Sequence, residues 1–87
     1  MKELEGKIAL VTGASRGLGR GVAAVLAEKG AELIVNYRTD SAHAESLCKE
    51  ISEQGGKAVP FRADVGKKEE VDRLFEFIRT KFGRLDI

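Results

Sequence analysis

The run Gly13-Ala14-Ser15-Arg16-Gly17-Leu18-Gly19 separates an apolar stretch, Ile8-Ala9-Leu10-Val11, from an amphipathic one that extends from Gly17 to Lys29. A strand, a glycine turn and a helix in that order build a cradle for phosphate. Gly13 opens a tight turn where the strand ends. At position 17 a Cβ would block the approach of a ligand phosphate to the main chain, and Gly19 lets the first helical turn settle close to the sheet. The first N–H groups of a helix lack intrahelical partners, and the helix dipole adds partial positive charge at that end. A pyrophosphate satisfies both. Three glycines in a short window mark only a turn when they stand alone, and Ser15 then simply stabilises it. The flanking strand and helix favour the phosphate.

Little else in the chain is placed to do chemistry. His43 is a single histidine on a polar helical stretch, where solvation is the expected state. Cys48 falls on an apolar stripe and reads as core, because a reactive thiol needs an exposed, electropositive setting. No His, Cys and carboxylate group is spaced to ligate a metal, so no metal is expected. Fifteen Lys and Arg face fourteen Asp and Glu, a net charge of +1, which gives no field for nucleic acid or an anionic membrane. Lys67-Lys68 is followed at once by Glu69-Glu70 and forms no basic patch. Met1–Gly6 has no apolar signal core, and no apolar run is long enough to span a bilayer. One cysteine fits a reducing compartment, so a cytoplasmic location is expected.

The elements that must position the cradle alternate as βαβαβα, followed by the beginning of a fourth strand. Strand 1 is expected at 7–12 and helix 1 at 18–29, with Leu18, Val22, Val25 and Leu26 on one face. Gly30 ends that helix. Leu33-Ile34-Val35-Asn36-Tyr37 is a continuous apolar strand of the kind buried in parallel sheets. Asp40 or Ser41 caps helix 2, which turns Ala44, Leu47, Cys48 and Ile51 inward and ends at Gly55-Gly56. Strand 3 covers 58–62. Helix 3 starts near Lys67, with Glu69 and Glu70 in its favourable first turn and Val71, Leu74, Phe75, Ile78 and Phe82 as its stripe. Gly83 ends it, and Leu85-Asp86-Ile87 starts strand 4. Alternating strands and helices imply a doubly wound parallel sheet with right-handed crossovers, in the order 3-2-1 with strand 4 outside strand 1. Pro60 cannot donate to a ladder, which makes strand 3 an edge.

Thr12-Gly13-Ala14-Ser15-Arg16-Gly17-Leu18-Gly19 resembles the TGxxxGxG motif of the short-chain dehydrogenase/reductase family. Ala63-Asp64-Val65 is similar to the family's Asp-Val pair after strand 3, which holds adenine. Phe82-Gly83-Arg84-Leu85-Asp86-Ile87 resembles the run that precedes the family's Asn-Asn-Ala-Gly motif. The resemblance spans the whole chain and implies a Rossmann-like fold, here as a dinucleotide-binding half-domain over 1–87. It implies Gly13, Ser15, Arg16, Gly17, Leu18, Gly19, Tyr37, Arg38, Asp64 and Val65 as cofactor-binding residues. Asp64 also reads as a cap for helix 3; the resemblance favours the ligand role. The family's catalytic Ser and Tyr-x-x-x-Lys fall beyond the point matching Ile87. Tyr37, the single tyrosine, has Ser41 at the fourth position on, so no catalytic residue is assigned.

In NAD-preferring members an acidic residue ends strand 2, about 20 residues beyond the glycine turn, and binds the ribose 2′-OH. Tyr37 and Arg38 occupy that place. Arg38 and Arg16 suit a 2′-phosphate instead, since a guanidinium matches phosphate geometry, so NADP(H) is expected over NAD(H); solvated surface charges are the plain alternative. The resemblance implies an oxidoreductase that interconverts a carbonyl and a secondary alcohol, similar to 3-oxoacyl-thioester reductases and sugar dehydrogenases, and a homo-oligomer, tetramer or dimer. The other function considered is a non-catalytic nucleotide-binding module. A phospho-receiver domain is set aside, because Thr12-Gly13-Ala14 stands where a receiver needs acids for Mg²⁺. The 87-residue chain, ending before the family's catalytic set, is expected to be inactive and prone to association through an open strand 1 edge.

Overall fold

Leu33, Ile34 and Val35 are all fully buried, which an element in the middle of three layers requires. They belong to β2 (Glu32–Tyr37), and β1 (Ile8–Thr12) and β3 (Lys57–Arg62) pair with it in parallel on either side. Val11 lies opposite Val35, and Val35 opposite Pro60. The computed structural model describes residues 2–13 and 17–87; Met1 and Ala14-Ser15-Arg16 lie outside the described residues. Among the described residues the sheet has three strands in the expected order, with Pro60 on an edge strand.

Side chains alternate across the sheet. Leu33, Val35 and Ala9 point to one face, where α1 (Gly17–Glu28) and α2 (Ser41–Glu53) bring Ala23, Ala27, Leu47 and Ile51 against them. Ile8 and Ile34 point to the other, where α3 (Lys68–Lys81) brings Leu74 and Ile78. Fully burying each of the larger side chains is worth about 1.5–3 kcal/mol. The chain is therefore a Rossmann-like βαβαβα unit with helices on both faces of a parallel sheet. After α3 it returns beside β1: the amides of Asp86 and Ile87 donate to the Ile8 carbonyl at 2.9 and 3.2 Å, and the Leu10 amide donates to the Ile87 carbonyl at 3.0 Å. These bonds lie where the fourth strand was expected to begin, although 84–87 carry no regular strand. They occupy part of the β1 edge that the sequence left open.

Two stripes differ from expectation. On α1, Ala23 and Ala27 meet the sheet, whereas Leu18 is 87% exposed, Val22 and Val25 are also exposed, and Leu26 is half-buried. Alanine lets a helix backbone come close to the strands, so the small residues form the contact and the longer apolar ones stand away from it. On α3, Phe75 is exposed. Its place is taken by Phe77, which stacks on Phe61 with centroids 4.5 Å apart and meets Phe82 edge-on at 6.2 Å. The inward stripe of α2 matches the expected four residues, all buried. Asp40 caps it, its Oδ1 accepting the His43 amide at 3.2 Å, while Ser41 is the first helical residue.

Candidate functional site

The change of side between α2 and α3 places a topological switch point next to β1. In open α/β sheets the crevice at such a point, outside the carboxyl ends of the strands, is where ligands bind. The β1–α1 turn opens there. Gly13 and Gly17 have φ of +62° and +68°, a region that side-chain-bearing residues rarely adopt. Among the described residues, a Cβ built on either would meet no atom within 4 Å. Backbone conformation explains both glycines, and no other described residue packs against the place where a Cβ would stand. Gly19 is half-buried and Leu18 is exposed in the first turn of α1. Ser15 and Arg16 lie outside the described residues.

The ends of β2 and β3 form the neighbouring rim. The half-buried Tyr37 rests against the α1/α2 side of the core, and Arg38 is exposed beside it. Asn36, buried, donates through Nδ2 to the carbonyls of Phe61 and Ala63, each at 3.2 Å. The Ala63 amide donates to the Tyr37 carbonyl at 2.9 Å. The two strand ends are thus fastened together just before Asp64 and Val65.

Asp64 does not cap α3. Its Oδ1 accepts the Gly66 amide at 2.9 Å, a turn closed by its own side chain, and the N-cap is Lys67, which makes no side-chain capping bond. Glu70 is the residue that sequence reasoning missed. It is only 8% exposed, and its Oε1 accepts both the Asp64 amide at 2.9 Å and Arg62 Nη1 at 2.5 Å. The Asp64 amide, with Arg62, Lys67 and Arg73 nearby, holds the Glu70 carboxyl below its ordinary range despite burial. Its signal in the sequence was a Glu at the third helical position, where a carboxylate can reach back to free amides. Glu69, its neighbour in the first turn, is exposed.

Two further residues depart from the sequence reading. His43 is exposed but not merely solvated: its Nδ1 lies 2.8 Å from Asp40 Oδ1. Asp86 accepts the Ile8 amide through Oδ2 at 2.9 Å, and it pairs with Arg84. Cys48 is buried as expected, and burial pushes its thiol pKa up. Among the described residues, no group of three or more His, Cys, Asp or Glu could hold a metal, and no helix is long and apolar enough to cross a membrane. A cavity of about 400 Å³, lined by Lys2, Glu5, Gly30, Glu32 and Lys57 among others, opens at the opposite ends of the strands and contains none of the expected site residues.

The fold is a Rossmann-like α/β unit with positive-φ glycines at the β1–α1 junction. The family model described as short chain dehydrogenase matches residues 7–87, and the chain belongs to that family of oxidoreductases. A hydroxynaphthalene reductase-like protein of Metarhizium brunneum is 49% identical over 86 residues, which cover 99% of this chain and 32% of that protein. The crystal structure of a metagenomic short-chain oxidoreductase in complex with NADP superposes with a TM-score of 0.92 at 31% identity, over 97% of this chain and 38% of that one. The angucycline C-6 ketoreductase LanV with bound NADP superposes with a TM-score of 0.86 at 39% identity, over 99% of this chain and 35% of that one. The chain spans about a third of the length of the curated relative.

Proposed function

We propose that residues 1–87 form the dinucleotide-binding part of an NADP(H)-dependent oxidoreductase that interconverts a ketone and a secondary alcohol. The observation that carries this reading is the positive φ of Gly13 and Gly17 at the switch point, with no other described residue packed where their Cβ atoms would stand. Main-chain amides from Gly13 to Gly19, with Ser15, receive the diphosphate at the positive end of α1. Tyr37 ends β2 without the negative charge that would repel a 2′-phosphate, and Arg38 and Arg16 pair with that phosphate. Asp64 and Val65 border the adenine, and the exposed Leu18 borders the cofactor from the first turn of α1. The bound nicotinamide supplies hydride; this segment binds and orients it. The ketoreductase in the name of LanV supports the substrate class, with 3-oxoacyl thioesters one candidate within it. By itself the 87-residue chain binds without turnover.

Titrating NADPH and NADH into the full-length protein and its Arg38→Asp variant tests the assignment. A charged hydrogen bond is worth about 1.5–3 kcal/mol, so NADPH affinity should fall about ten- to a hundredfold. NADH affinity should change far less. Equal NADPH affinity in both proteins would contradict the role of Arg38.

A further inference from the structure

Arg62 and Glu70 connect the two rims of the proposed adenosine site. Arg62, the last residue of β3, donates through Nε to the Arg38 carbonyl at 3.1 Å and through Nη1 to Glu70 Oε1 at 2.5 Å. The same Glu70 oxygen accepts the Asp64 amide at 2.9 Å. Arg38 and Asp64 belong to separate loops, one after β2 and one after β3, and no helix or strand extends through either. A single side-chain pair therefore bonds the main chain of both. It does so from below the rim: Glu70 is buried on α3, with 10% of its side chain exposed, while half of the Arg62 side chain is exposed. Lys67 Nζ stands 4.0 Å from the other Glu70 oxygen and adds positive charge on the helix side.

We infer that the Arg62–Glu70 pair is a positioning device for cofactor specificity, holding the Arg38 loop and the Asp64 loop at the spacing that an adenosine 2′-phosphate requires. The inference rests on the proposed function and extends it to residues that make no contact with the cofactor themselves. The two arms act differently. Loss of the Glu70 carboxylate frees the Asp64 amide and loosens the adenine side, which every adenine nucleotide uses. Loss of the Arg62 guanidinium frees the Arg38 carbonyl and loosens the side that only a 2′-phosphate uses. A buried carboxylate bonded to a main-chain amide and a guanidinium at once can set loop position closely, because both bonds are charge-assisted and directional.

The test measures 2′,5′-ADP and 5′-ADP binding by calorimetry in the full-length protein and in its E70A, E70Q and R62M variants, with steady-state kinetics in NADPH. In E70A both probes should weaken by about tenfold, the scale of one charge-assisted hydrogen bond, with KM for NADPH rising in step and kcat changing less than about twofold. E70Q keeps an acceptor for the Asp64 amide and should lose less than E70A. R62M should weaken 2′,5′-ADP by several-fold more than 5′-ADP. If E70A fails to fold, E70Q and R62M carry the test, with circular dichroism confirming the fold. Variants that fold and bind both probes within about twofold of wild type would overturn the inference, as would a fall in kcat at unchanged probe affinity. Wild-type protein that binds neither probe would overturn the proposed function itself, a result visible before any variant is made.

Discussion

Gly17 meets two demands that substitution can separate. Its φ of +68° makes any side chain there strained, at a cost of about 1–2 kcal/mol, and the place beside it, where no other described residue packs, is where the diphosphate is proposed to sit. Gly21, one turn further along α1, has no positive φ, and no other described residue packs where its Cβ would stand. Gly17→Ala in the full-length protein should lower Tm and weaken NADPH binding. Gly21→Ala should stabilise the helix by up to about 1 kcal/mol and leave binding unchanged, because alanine is the better helix former. Calorimetric unfolding with NADPH titration checks both, and a Gly21→Ala variant that lost cofactor as severely as Gly17→Ala would show that helix packing, not the cradle, governs uptake. At this scale the glycine spacing, read with its flanking strand and helix, pointed to the β1–α1 junction, where Gly13 and Gly17 carry positive φ. Glu70 could not be assigned its role, since its partners Arg62 and Asp64 sit across a strand end and a turn whose geometry only the fold provides.

The elements show why some faces were legible and others were not. On α2 the apolar residues recur at helical spacing and no competing small-residue face exists, so Ala44, Leu47, Cys48 and Ile51 identified the buried side correctly. On α1 two faces compete, and the alanines win the sheet contact because they permit the closer approach. Periodicity finds an apolar face without saying what will meet it. For α3 the same ambiguity exchanged Phe75 for Phe77, because Phe61 on β3 offers a stacking partner that no single-element pattern reveals. Leu74, 1% exposed, anchors this helix, and Leu74→Ala should cost about 2–5 kcal/mol by chemical denaturation. The base of the same helix should also set an acid limit. The Glu70 carboxyl is held low first by the Asp64 amide and then by Arg62, Lys67 and Arg73. A group whose folded pKa is depressed contributes fully above its unfolded value, about 4.3 for Glu, and loses that contribution as pH falls through the folded value. Stability should therefore decline below about pH 4, and less steeply in Glu70→Gln. Asp86, lowered by Arg84 and by the Ile8 amide, acts in the same window. An identical acid limb in wild type and Glu70→Gln would refute the assignment to Glu70.

For the molecule as a whole, the unburied stripe of α1 matters most. Leu18, Val22 and Val25 present adjoining apolar surface on one helix, and a lone chain of 87 residues buries only about 60–65% of its unfolded surface. The 87-residue chain prepared alone should self-associate, and V22Q/V25Q should reduce that association in sedimentation velocity. A monomeric wild-type chain at high concentration would show that the stripe is tolerated in water. The β1 edge is a weaker cause, since Asp86 and Ile87 already bond to it. The shape of the sheet followed from strand order, the edge proline and alternating elements; the layer that each helix face meets did not. The most direct test of the account is the crystal structure of the full-length protein with NADP bound. It should place the diphosphate oxygens within hydrogen-bond reach of main-chain amides between Gly13 and Gly19, with the 2′-phosphate against Arg38. A diphosphate seated away from the β1–α1 turn would contradict it.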